Sequence, residues 1–407
     1  MLDRSVAPTP AISGWDPPAP LEPAPAVEIR ESGYAPWAAL VPRWWLPWSH
    51  GEGATGTFLG ATTSGIDAIG RFGYAIGVTV APDTLHLRWE GALFARYQRW
   101  KSISLDGGLS QTWADAGVVL SQDGGQTFAV GERERQAEAG VTWQTLRWRR
   151  ALAVRLSGEL EDDILVGALD GEVRGRVRLG GGRLALTAGT FSHPPLAVSR
   201  EDGVLARAAI RRRWVLDGPG QSNELRGSVA GYVGLPLPGF SHWVLAAQVS
   251  AARGSGSAPP AFSLGGSLPD EFDVFTGLSS LGNRRFPLRG YNDIGHYARV
   301  VTGVAELRLP LRLIGRGFRY LPMGLEKLSL SVFGEIGGGW DPGETAALSY
   351  RDLGAELVTD LLVGGAGWLR IRWGAALPLA DAPAAVRGGP GTRRYDVRYY
   401  VVLAPSF

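Results

Sequence analysis

From about residue 54 onward, apolar and polar residues alternate with a period of two, in runs separated by turn residues. This is the pattern of β-strands with two chemically different faces. The last run is the clearest. In 394–407, Tyr395, Val397, Tyr399, Val401, Leu403, Pro405 and Phe407 share one face, with Arg394, Asp396, Arg398, Tyr400 and Ser406 on the other. In 367–379, Leu369, Ile371, Trp373 and Leu377 oppose Arg370 and Arg372, and in 84–97, Leu85, Leu87, Trp89 and Leu93 oppose His86, Arg88, Glu90 and Arg96. The spacing predicts sixteen strands, near 54–63, 71–81, 84–97, 101–113, 134–145, 147–159, 165–179, 182–192, 203–214, 222–234, 241–252, 298–310, 326–338, 350–359, 367–379 and 394–407.

The stretch from Tyr395 to Phe407 spans roughly 40 Å of strand, or about 30 Å of height at a tilt near 40°. That is one bilayer core with an aromatic at each rim. Charges on the inner face recur on distant strands, whereas a soluble sandwich would bury one face in a dry core. The expected fold is therefore all-β, a 16-stranded antiparallel transmembrane β-barrel with an apolar outside and a lumen lined by arginines and acids. An even strand count puts both ends of the barrel on one side of the membrane. It also makes 253–297 an extracellular loop of about 45 residues, a length that is usually functional or disordered.

Ahead of the barrel (54–407), residues 1–30 are rich in Pro and Ala and read as a disordered or extended linker, and 31–53 as an aromatic, proline-stiffened lead-in at the periplasmic rim. The opening Met-Leu-Asp-Arg-Ser-Val-Ala-Pro has no apolar core and is not a signal peptide. Since an envelope protein needs one, more chain is expected upstream.

Composition narrows the chemistry. No apolar run approaches the ~18–20 residues of a membrane helix, and the mean hydropathy of −0.01 is what alternation produces. Fifteen Trp and eleven Tyr suit aromatic girdles. Cysteine is absent, which excludes disulfides and thiol chemistry. A net charge of +2 implies no attraction to nucleic acid. Lys101 and Lys327 are the sole lysines; the arginine bias suits lumenal networks and contact with anionic lipid, although genome composition alone gives the same bias. The five histidines show no metal spacing. Gly51-Glu52-Gly53-Ala54-Thr55-Gly56 fits G-x-G-x-x-G but is followed by a strand, so it reads as a turn. Neither an enzyme nor a cofactor or metal site is expected.

The informative motif lies in the long loop. Gly277-Leu278-Ser279-Ser280-Leu281-Gly282 precedes Arg285-Phe286-Pro287-Leu288-Arg289-Gly290-Tyr291, and two strands later comes Phe333-Gly334-Glu335-Ile336-Gly337. On that thirteenth strand Leu328, Leu330, Val332 and Ile336 alternate with inward Ser329, Ser331, Phe333 and Glu335. Together with Glu306-Leu307-Arg308-Leu309-Pro310 and the aromatic terminus, these segments resemble the outer-membrane assembly-factor superfamily, the bacterial surface antigen barrels of the BamA, TamA and two-partner-secretion transporter group. In that family an Arg-Gly-Phe/Tyr loop tip folds into the lumen and meets an acid in a Phe-x-Asp-x-Gly element. The resemblance assigns the loop motif to Leu288, Arg289, Gly290 and Tyr291, and its partner element to Phe333, Glu335 and Gly337. Glu replaces the family's Asp. Tyr399, Val401, Leu403 and Phe407 form the closing-strand signal. Physically, Arg offers a planar fork for a carboxylate and Gly permits close approach. If the contact is a simple pair, reversing both charges should partly restore it.

The resemblance implies a bacterial outer-membrane barrel for protein insertion or translocation, working through a seam between strands one and sixteen and the lumenal loop. Its partners would be outer-membrane lipid and lipopolysaccharide, and unfolded outer-membrane or secreted clients. Nothing before residue 54 has the βααββ pattern of a POTRA domain, so a periplasmic domain upstream, such as a TolB-type β-propeller, or an accessory chain stands as a further expected partner. A secretion pore or passive channel plugged by the loop, and a membrane anchor for such a domain, are the alternative readings.

Overall fold

In a computed structural model the alternating runs form one antiparallel sheet of sixteen strands. The described residues are 34–37, 39–51, 57–82, 88–120, 127–167, 171–267, 285–292, 294–318, 323–363, 367–383 and 391–405. The strands are β1 (Leu46–Gly51), β2 (Thr57–Ile66), β3 (Phe72–Ala81), β4 (Arg88–Trp100), β5 (Ile103–Leu120), β6 (Thr127–Arg147), β7 (Arg150–Gly167), β8 (Val173–Ser192), β9 (Glu201–Val215), β10 (Gln221–Leu235), β11 (Trp243–Gly256), β12 (Phe262–Leu264), β13 (Arg285–Phe286), β14 (Gly295–Tyr297), β15 (Arg299–Gly317), β16 (Met323–Trp340), β17 (Tyr350–Val363), β18 (Gly367–Pro378) and β19 (Arg398–Pro405). Each strand pairs with its sequence neighbour, β1 to β11 and then β15 to β19, while β12, β13 and β14 make a small sheet inside the long loop.

The two faces of β6–β9 show why these sequences take this form. Outward positions 137, 139, 141 and 143 on β6, 154, 156, 158 and 160 on β7, 180, 182, 184 and 186 on β8, and 204, 206, 208 and 210 on β9 carry Ala, Val, Leu, Ile, Gly or Trp, with no polar side chain among them. Leu156, Leu160 and Ile210 are more than half exposed there. Such a surface is stable against lipid, not water. The inward positions carry the charges. Arg155 of β7 pairs with Asp106 of β5 and Glu138 of β6, and Arg211 of β9 with Glu159 and Glu161 of β7. These pairs satisfy groups that would otherwise be left desolvated on the inner wall.

The sheet curls into a barrel wall. Lys327 Nζ of β16 donates to the Ala197 carbonyl in the β8–β9 turn at 2.7 Å. That turn lies four to five steps from β16 in the sheet order, roughly 20 Å if the sheet were flat. Among the described residues no ladder joins the two end strands. β1 and β19, of 6 and 8 residues, are also the shortest strands of the sheet.

Three boundaries differ from the sequence reading. The sheet begins at β1, inside the expected lead-in, and the expected first strand appears as β2. Pro42 and Pro47 make this segment read as stiffened coil, yet a strand with one ladder partner accommodates a proline. The strands expected at 165–179 and 182–192 are the single strand β8. Gly180-Gly181-Gly182 looks like a turn, but β7 ends at Gly167 and β8 begins at Val173, just after Gly171 takes φ +70°. The triplet instead runs within the sheet: a Cβ on Gly181 would lie 2.1 Å from the Arg212 carbonyl oxygen. One strand gained and one merged leave the count at sixteen. Finally, β19 starts at Arg398. Tyr395, at φ 65°, and Val397 lie in the turn before it, so the strict alternation enters the sheet four residues later than expected. Residues 1–30, Gly277–Gly282 and Phe407 lie outside the described residues, as does the Leu403 side chain.

Candidate functional site

The long loop carries its own core into the lumen. β12 pairs parallel with β13 and antiparallel with β14, and Gly265, at φ +113°, turns the chain where any Cβ would strike the Asn292 carbonyl oxygen. Phe262, Leu264, Phe286, Leu288, Tyr291 and Ile294 are buried together against Ala252 and Val300 of the wall. The rings of Phe262 and Phe286 meet edge to face at 5.8 Å. This burial offsets part of the conformational entropy lost by fixing a long segment.

At the loop's inner tip, the Tyr291 N–H closes a turn on the Leu288 carbonyl and projects Arg289 at the wall. The guanidinium is 4% exposed and meets carboxylates from three strands. Nε donates to Glu335 Oε1 of β16 at 2.8 Å, and Nη2 to Glu306 Oε1 of β15 at 2.7 Å; Nη1 lies 3.2 Å from Glu356 Oε1 of β17. Its own backbone N–H donates to Glu335 Oε2 at 2.6 Å. The plane stacks on Phe333, 3.5 Å from the ring centroid. Burial disfavours the charge, but Glu335, Glu306 and Glu356 hold the guanidinium protonated far beyond its ordinary range.

The neighbouring loop residues are fastened as closely. The Gly290 N–H donates to Asp352 Oδ2 at 3.0 Å, and a Cβ there would sit 2.6 Å from Asp352 Cβ. The Tyr291 hydroxyl donates to the Arg351 carbonyl at 2.7 Å and accepts from the Arg351 and Ala380 N–H groups. Gly337 leaves room for Leu288, whose Cδ1 would be 3.0 Å from an added Cβ. From the last strand, Arg398 donates to the Arg289 and Tyr291 carbonyls at 2.9 and 3.0 Å. Tyr400 donates to Glu356 at 2.7 Å, and Arg372 of β18 meets Glu356 at 2.5 Å. One loop tip is thus tied directly to β15, β16, β17 and β19, and β18 braces the same acids through Arg372.

The structure brings together Leu288, Arg289, Gly290, Tyr291, Phe333, Glu335 and Gly337. Tyr399 and Val401 point outward, 79% and 54% exposed, away from this site. The sequence reading included Glu306 in the resembling segment without giving it a role, and did not single out Asp352, Glu356, Arg398 or Tyr400. A signal was present: Asp352, Glu356 and Asp360 recur every four residues, one face of a strand. A cavity of about 150 Å³ adjoins the clamp, lined in part by Tyr232, Gln248, Ser267 and Arg308.

Among the described residues, Glu134, Glu161 and Asp163 also gather carboxylate oxygens within 4.8 Å of one another. Arg213 reaches Glu161 at 2.5 Å and Arg211 at 3.2 Å.

Comparison with solved structures shows what this fold is like. The chain is similar to CdiB from Escherichia coli, with a TM-score of 0.54 and 15% identity over 90% of this chain and 64% of that one. It is also similar to CdiB from Acinetobacter baumannii, with a TM-score of 0.52 and 9% identity over 86% and 57%. The chain therefore spans less than two thirds of the length of either. The sequence matches no family profile and no curated protein.

Proposed function

We propose that this chain is the barrel of an outer-membrane protein insertion or translocation machine, with protein clients. Its working parts would be the seam between β1 and β19 and the clamped lumenal loop. One observation carries the reading: the loop tip is held directly by β15, β16, β17 and β19, so the plug in the lumen and the terminal strand of the seam share side chains. The apolar outer face, the fold of the CdiB barrels and the assembly-factor loop motif support the same conclusion. A β19 that lacks a ladder partner on one side among the described residues offers a strand edge, the element onto which an extended client can pair. Because Arg398 and Tyr400 belong to both β19 and the clamp, movement of that edge and release of the loop are coupled.

The test uses the absence of cysteine. Ser49→Cys combined in turn with Tyr399→Cys and Val401→Cys introduces the sole thiols of the chain. After reconstitution in liposomes, an oxidised seam should block client insertion or translocation and reduction should restore it. Full activity with the seam locked would overturn the seam mechanism. Single-channel recordings complete the test. A chain that stays silent until the loop is released, and then handles clients, supports the proposal, whereas one that conducts small ions but moves no client is a plain channel.

A further inference from the structure

The outer face of β6–β9 changes character at one level. Above its sixteen uncharged positions, Arg135, Asp162 and Arg178 lie across from one another in register, followed by Arg133, Ile164 and Arg176. Arg176 holds Asp162 through Nε and Nη2 at 2.6 and 3.0 Å, and Arg178 holds Asp217 at 2.6 and 2.5 Å. Arg133 shares the electrostatic neighbourhood of Arg135, Asp162 and Arg176, and its guanidinium lies 5.8 Å from the Trp113 ring centre. On β9, Arg212 lies over Trp214 at 5.2 Å and reaches up to Gln221 Oε1 at 3.2 Å. Five guanidiniums face two carboxylates, a surplus of three positive charges. The side chains of Arg176 and Arg178 are nearly half exposed. The proposed insertion mechanism uses none of them.

Height identifies what this patch meets. From Arg133 to the outward Trp143 of β6 is ten residues, roughly 33 Å of strand or about 25 Å of height at a 40° tilt. An outer-membrane barrel's apolar band is about 25 Å tall, with aromatics at its rims. Trp143 marks the lower rim, while Trp113 and Trp214 sit at the upper one beside the arginines. The patch is thus level with the headgroups of the leaflet farther from the chain termini. Guanidinium recognises phosphate by its planar fork, and a surplus of positive charge at that depth is complementary to an anionic lipid surface.

We propose that the outward arginines of β6–β9 form a docking surface for phosphate-bearing lipid headgroups of the outer leaflet. This rests on the membrane placement proposed above but not on client handling. The test titrates the full chain in neutral detergent micelles with bis-phosphorylated lipid A, its dephosphorylated form, or inorganic phosphate, following tryptophan fluorescence. Lipid A should bind, and neither the dephosphorylated lipid nor free phosphate should match it. Each arginine near an anionic surface contributes roughly fivefold in affinity, so R135Q/R178Q should weaken binding about 25-fold. R312Q/R316Q, an equal charge loss at exposed positions toward the other end of β15, should leave it unchanged. Asp217→Asn, which frees Arg178, should tighten binding, and this variant keeps the test valid if the double variant fails to fold. Wild-type affinity in R135Q/R178Q together with an unaltered Asp217→Asn, or equal binding of the dephosphorylated lipid, would overturn the assignment. Client assays play no part in it, so a failed insertion mechanism would leave this result standing.

Discussion

Arg289→Ala should free the loop from the wall without unfolding the barrel. The substitution removes the donors to Glu335 and Glu306 and the charge beside Glu356, all within 2.7–3.2 Å of the guanidinium. Breaking a buried ion pair by deleting one partner costs about 3–5 kcal/mol, so the equilibrium for loop opening should rise by roughly 10² to 10³·⁵. Hydrogen exchange reads this directly, because the Arg289 and Gly290 N–H groups donate to Glu335 and Asp352. In peptides covering 285–297, protection should fall by at least a hundredfold while β6–β9 stay protected. The double reversal Arg289→Glu with Glu335→Arg is the sharper test. A lone pair would be restored by the exchange, as the sequence alone suggests. In the structure the carboxylate introduced by the reversal would face Glu306 and Glu356, each repulsion being about 4 kcal/mol at 4 Å and an effective dielectric of 20. The double variant should therefore open at least as far as Arg289→Ala. Recovery of wild-type protection by the double reversal would refute the multi-carboxylate clamp, and a fall of less than tenfold in Arg289→Ala would show that the tip is held by the hydrophobic loop core instead.

Gly290→Ala should mimic Arg289→Ala in the same exchange measurement, since its Cβ would stand 2.6 Å from Asp352 Cβ and lift the tip from β17. Gly181→Ala should lower the temperature of the heat-modifiable gel shift, whereas Gly158→Ala, with its nearest contact at 3.9 Å, should not. Val401→Arg places a charge on the lipid face at about 2–4 kcal/mol if near the midplane; folding yield into vesicles should drop, while Val401→Leu folds normally.

Where two faces meet different media, the sequence is legible. Leu330 and Val332 against Ser331 and Phe333, or Ile371 and Trp373 against Arg370 and Arg372, carry their register in their chemistry, because a one-residue slip would expose arginine to lipid. The loop motif was legible for a different reason: Arg289-Gly290 and Glu335 resemble a known pair. The errors fall where local chemistry and tertiary context disagree. Gly180-Gly181-Gly182 has turn composition, but neighbouring strands on both sides supply a ladder that overrides propensity. Pro47 hides β1 because propensity scales do not register a strand with a single partner. Glu306 and Glu356 read as ordinary lumen acids, since their meeting at Arg289 depends on how far the loop descends, which no local pattern encodes.

The charge layout of the clamp shows why the loop can leave without the wall failing. Glu306 has a second cation, Arg308, at 2.6 Å, and Glu356 has Arg372 at 2.5 Å besides the Tyr400 hydroxyl. Withdrawing Arg289 therefore leaves both acids paired within β15–β19. Glu335 differs: its ion pair is with Arg289, and its second oxygen accepts the loop's own N–H. The desolvation penalty of release thus falls on Glu335 and on Asp352, which accepts the Gly290 N–H, in a position that water enters as the tip withdraws. With Glu306 and Glu356 still paired, the wall keeps its shape with the loop in or out, while Glu335 and Asp352 favour the loop being in. Under the proposed mechanism, that division suits a plug that detaches from a barrel that stays folded.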